Sequence, residues 1–166
     1  MQNAVSNAAT LEITTPSERE IVMSRVFDAP RNLVFDAWTK PELVKQWLTG
    51  PEGWTMVICE IDLKVGGKYR YVMSNTDGMD MGWGGVYREI VPPERFVNTE
   101  LFDEGWYPGE SLITTVLVEE DGRTKLTQTM LFESQDARDI AAGSGMESGI
   151  APSFDRLEEL LASLRQ

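Results

Sequence analysis

Apolar and polar positions alternate through EREIVMSRVFDAP, residues 18–30, with Ile21, Met23, Val26 and Phe27 on the apolar side. That period of two predicts a strand. Asp28 and Pro30 then supply a cap acceptor and a pre-set φ, so a helix is expected over RNLVFDAW, with Val34, Ala37 and Trp38 at helical spacing. TKPELVKQW restarts a helix: Thr39 and Glu42 stand in the capping-box relation, and Leu43, Val44 and Trp47 form an apolar stripe. Gly50, Pro51 and Gly53 end it.

From Thr55 the pattern returns to short apolar runs punctuated by turns. TMVICEIDL, YRYVMS, MDMGWGGVYREI, RFVNTELF, SLITTVLVEE and TKLTQTMLFE read as six strands, with DGR between the last two as a tight hairpin signal. Connections this short favour antiparallel neighbours. Near the C-terminus Ser134 is placed to cap a short helix, and Ser144 with Glu147 repeats the capping-box spacing. Met146, Ile150, Phe154, Leu157, Leu161 and Leu164 then make one apolar face of a long helix, whose first turns Gly149 and Pro152 should loosen. The order predicts an α+β fold: a curved antiparallel sheet with the long C-terminal helix across its concave face, and two short helices after the first strand. Residues 1–17 read as a flexible leader and residues 18–166 as a single domain.

Gly66-Gly67-Lys68 raises the question of a phosphate loop. Asp62 stands where the first Walker glycine belongs, Tyr69 replaces the Ser or Thr, and KYRYVM alternates as a strand instead of opening a helix. A primed hairpin turn is therefore expected there, with Lys68 and Arg70 on one face of the following strand and Tyr69, Tyr71 and Met73 on the other.

Composition narrows the chemistry. The formal charge of −12 argues against nucleic acid and against docking to anionic lipid. No run is long and apolar enough to span a membrane, no signal-peptide core is seen, and Cys59 is the only cysteine, so a cytoplasmic location is expected. The absence of His excludes Ser-His-Asp and Cys-His arrangements and the usual zinc sites; no cofactor is expected. Glu60 and Asp62 share a strand face with Met56 and Ile58, and Glu89 and Glu100 lie on nearby strands. These carboxylates are the remaining acid–base candidates, with ion-paired surface charges as the alternative. Five Trp, together with Tyr and Met, suit an adaptable apolar pocket.

RVFDAPRNLVFDAWTKPELVKQW, DLKVGGKYRYVM, GVYREIVPPERFV and GMESGIAPSFDRLEELLASL resemble, in order, the AHSA-type (activator of heat-shock-protein ATPase homologue) branch of the START-like, SRPBCC superfamily. The resemblance runs from about Arg19 to Leu164 and implies a helix-grip fold with a cavity between sheet and long helix. It leads to the expectation that a small hydrophobic or aromatic molecule is held there by Trp47, Trp54, Met56, Tyr69, Tyr71, Met73, Met81, Trp83, Phe102, Trp106, Ile150 and Phe154. Two alternatives stay open: a cyclase- or hydrolase-type enzyme using Glu60, Asp62, Glu100 or Tyr87, and a chaperone-linked protein-interaction module. A homodimer is expected on the general prevalence of two-fold assemblies among oligomers.

Overall fold

A computed structural model describes residues 10–165. Eight strands form one antiparallel sheet: β1 Glu12–Ser17, β2 Glu20–Phe27, β3 Trp54–Ile61, β4 Lys68–Asn75, β5 Asp80–Val91, β6 Arg95–Phe102, β7 Ser111–Glu120 and β8 Arg123–Leu131. Their order across the sheet is β1-β2-β8-β7-β6-β5-β4-β3. Helices α1 Arg31–Thr39 and α2 Pro41–Trp47 join β2 to β3 at the opposite edge, and α3 Gln135–Ala142 and α4 Met146–Leu164 follow the sheet. The expected α+β layers are present. Among the described residues no helix is long and apolar enough to cross a membrane.

The leader expected over residues 1–17 divides. Residues 1–9 lie outside the described residues, whereas Glu12–Ser17 is a strand paired with β2. Its side chains are mostly exposed, which is why the segment reads as a polar leader; backbone pairing to an edge needs no apolar pattern. Two strands, not one, therefore precede the short helices.

Capping departs from the expectation in two places. Thr39 ends α1, and its hydroxyl donates to the Phe35 carbonyl at 2.7 Å, so the capping box with Glu42 is not made; Lys40 precedes α2, with Pro41 in its first turn. Ser144 likewise donates back to Ala141, and α4 opens on Gly145 at φ 79°, a left-handed conformation that favours glycine. Ser134 does cap α3, accepting from the Ala137 amide at 3.1 Å. The Asp121–Gly122 turn has φ of 56° and 77°, as a primed hairpin requires. The Gly66–Gly67 turn is wider than a two-residue hairpin: only Gly66 has positive φ, and Gly66 and Gly67 bond to Tyr87 of β5.

Helix α4 lies over the inner face of the sheet and packs against α1 and α2. Phe154, almost fully buried, meets Phe27, Trp38 and Trp47 at ring distances of 5.7, 6.1 and 6.1 Å. Polar contacts fix the helix from both sides. Arg25, on the inner face of β2, donates to Asp155 at 2.9 Å, while Ser153 and Arg156 bond to Gly50 in the loop after α2.

Because Phe154 joins three rings of the helix–sheet contact, Phe154→Ala should destabilise the fold by about 3–5 kcal/mol. Urea unfolding of the two proteins measures this; a loss below about 1 kcal/mol would mean that the helix is held mainly by its polar contacts.

Candidate functional site

The inner face of β4, β5 and β6 is built in rows. Met73 pairs with Met81, Tyr71 pairs with Trp83, and Trp83 pairs in turn with Phe102. The Trp83 and Phe102 rings stack at 5.4 Å, and Tyr71 meets Trp83 edge-on at 5.5 Å. Each strand presents alternate residues to this face, as predicted for Tyr69, Tyr71 and Met73.

One row further along, Tyr69 pairs with Gly85. The Tyr69 hydroxyl passes over β5 to donate to the Thr99 carbonyl on β6 at 2.6 Å, and it accepts from the Asn98 amide at 3.0 Å. Glycine is required at the crossing, since a Cβ on Gly85 would lie 2.0 Å from the Thr99 oxygen. Between the Gly84–Leu101 and Tyr87–Asn98 pairs, Gly85 stands beside Glu100. Across the next ladder Glu100 pairs with Ser111, whose hydroxyl is 3.0 Å from that of Tyr107.

Glu100 is therefore a carboxylate among tyrosines. Among the described residues its side chain is half-buried and has no hydrogen bond or ion pair of its own. Burial alone pushes its carboxyl up to about 7. Tyr69, Tyr71 and Tyr107 are raised well above the usual phenol range, first by burial and further by the Glu100 charge.

The other acid–base candidates fall elsewhere. A β-bulge between Met56 and Ile58 reverses the alternation of β3, so Met56 stays buried while Ile58 and Glu60 turn outward and Cys59 and Ile61 turn in. Asp62 is exposed in the following turn beside Lys64, and Glu89 pairs with Arg95 on the surface at 3.1 Å. Tyr87 faces inward, 5.5 Å from the Tyr69 ring. Cys59 is partly buried, and desolvation pushes its thiol up to about 11, as for an unreactive side chain.

Of the twelve residues expected to line a cavity, Met56, Tyr69, Tyr71, Met73, Met81, Trp83 and Phe102 come together on this face. Ile150 and Phe154 approach it from α4, and Trp54 packs on the same core from the start of β3. Trp106 sits in the β6–β7 loop at the exposed limit, edge-on to Phe102. Trp47 belongs to the same core from α2: it is fully buried against Phe154, and its indole N–H donates to the Ala37 carbonyl at 2.8 Å, packing α2 onto α1. The structure adds Asn98, Ser111 and Gly85 to the site. The alternation of RFVNTELF places Asn98 in phase with Glu100 and was the available signal for it.

An open cleft of about 690 Å³ lies on the opposite, outer face, lined by Lys68, Arg70, Glu60 and Asp103. It exists because β5 carries glycines there. A Cβ on Gly82 would collide with the bidentate Arg70–Asp103 pair, which includes an Nη1–Oδ1 bond of 2.6 Å.

The family model described as activator of Hsp90 ATPase homolog 1-like protein matches residues 28–162. Among solved structures, a Rhodobacter sphaeroides protein is 30% identical with a TM-score of 0.87, over 92% of this chain and 98% of its own. A Staphylococcus epidermidis protein is 28% identical with a TM-score of 0.77, over 91% and 93%. A Chromobacterium violaceum protein is 28% identical with a TM-score of 0.72, over 85% and 96%. No curated protein matches the chain.

The raised carboxyl of Glu100 has a consequence for stability. A folded-state value above the unfolded one contributes stability below the ordinary carboxylate range, and this is lost as pH rises through about 7. Glu100→Gln should therefore be more stable than the parent by on the order of 2 kcal/mol above neutral pH, with the difference closing near pH ~4. Urea unfolding across that range measures it; a pH-independent difference would show that Glu100 titrates like a solvated carboxylate.

Proposed function

The chain belongs to the activator of Hsp90 ATPase homolog 1-like family, and we propose that this member binds a small hydrophobic or aromatic molecule between its sheet and α4. The observation that carries the reading is a set of apolar side chains that pack on the interior without being fully covered. Trp54, Met81, Phe102 and Ile150 all pack on the core clusters yet remain only partly buried. Phe102 and Ile150 lie against both clusters, so they occupy the seam where the two halves of the interior meet.

The side chains there suit an adaptable site. Met56, Met73 and Met81 share one row across β3, β4 and β5, and methionine changes rotamer at low cost. The neighbouring row, Tyr71, Trp83 and Phe102, offers ring faces and edges to an aromatic guest. A second reading, acid–base chemistry on the bound molecule, is favoured by Glu100 and Tyr87, the two of its four candidate groups that face inward.

Methionine-methyl NMR with indole as the probe tests the binding reading. Saturable shifts are expected at the Met73 and Met81 methyls, with none at Met79, which is 60% exposed. Shifts confined to Met79, or none at all, would remove it.

A further inference from the structure

We propose that the inner-face site selects an aromatic amine, with its ammonium group on Glu100 and its ring against Tyr71, Trp83 and Phe102. This rests on the binding reading above and adds the chemical class of the guest.

Several polar atoms on this face already have partners. The Tyr69 hydroxyl donates to the Thr99 carbonyl and accepts from Asn98. The Asn98 amide donates to both the Tyr69 hydroxyl and the Thr99 carbonyl. The Tyr107 and Ser111 hydroxyls are satisfied by one another. Further along the face, Gln128 donates to Thr115 at 3.0 Å. Glu100 has no such partner among the described residues, although it stands in the middle of these groups and keeps part of its surface accessible. An ionised carboxylate accepts and does not donate, so what it lacks is a donor.

Among the described residues no cation pairs with it. Arg25, the basic side chain on the same face, is held by Asp155 at 2.9 Å and Glu158 at 3.8 Å. Arg70 points to the outer face and is held by Asp103. The groups facing Glu100 are the phenols of Tyr69 and Tyr71 from β4 and of Tyr107 from the β6–β7 loop, and none of them carries positive charge. A carboxylate enclosed by apolar and phenolic groups gains most from a guest that brings both charge and donors, because a charged hydrogen bond outweighs a neutral one. Two further features favour a cation. The aromatic faces of Tyr71 and Trp83 lie in the adjoining row, where an ammonium group also interacts with ring electrons. The formal charge of −12 raises the local concentration of cations and lowers that of anions around the whole molecule.

Four probes that share one ring and differ in their polar end test the assignment: phenethylamine, phenethyl alcohol, hydrocinnamate and ethylbenzene. Their affinities are measured by calorimetry at about pH 8, where Glu100 is ionised, for the parent chain and for Glu100→Gln. Phenethylamine should bind at least about tenfold more tightly than the alcohol or the hydrocarbon, with hydrocinnamate weakest. Glu100→Gln should abolish the preference for the amine while leaving ethylbenzene affinity within about twofold. Glu110→Gln, a control in the loop before β7, should leave the preference intact. Equal binding of amine, alcohol and hydrocarbon would overturn the amine assignment and leave the binding reading standing, as would an amine preference that survives in Glu100→Gln. Failure of every probe to bind would overturn both.

Discussion

The inner face of this protein depends on one hydrogen bond that crosses a strand. Tyr69 starts on β4, passes over β5 where Gly85 has no side chain, and donates to the Thr99 carbonyl on β6. One side chain ties β4 to β6 across β5, and β5 and β6 lie so close there that a Cβ at Gly85 would sit 2.0 Å from that carbonyl oxygen. The bond also determines the chemistry around it. It occupies the Tyr69 hydroxyl and orients the Asn98 amide, and Glu100 beside them has no partner among the described residues.

The second organising feature is a gradient of closure under α4. Around Phe154 the helix is locked by rings on three sides and by Arg25, Ser153 and Arg156. Towards its start the helix carries Gly149 and Pro152, opens on a left-handed glycine without a side-chain cap, and leaves Met146 and Ile150 only partly buried. Proline has no amide to donate within the helix, and glycine adds backbone freedom, so the first turns of α4 are held less tightly than the rest.

Much of this was legible in the sequence. The six strands after Thr55, the two short helices and the apolar face of the long helix follow from period and turn chemistry, and the motif resemblance gave the family and the fold. What was not legible depends on events outside the local pattern. Residues 12–17 form a strand because β2 offers an unpaired edge, not because their own side chains demand it. The bulge between Met56 and Ile58 reverses the alternation of β3, so Glu60, read as sharing a face with Met56, turns to solvent. Trp47 has the composition of a pocket residue but fills the joint between two helices. Gly85 reads as a weakness in its strand, and the close approach of Thr99 on β6 explains it.

Native mass spectrometry of gently purified protein tests most directly whether the interior holds a small molecule. Comparison with the denatured mass should show a discrete extra mass of a few hundred daltons, lost on unfolding, whose fragmentation reveals an aromatic compound. A native mass equal to that of the bare chain, unchanged after incubation with excess phenethylamine, would contradict the binding reading.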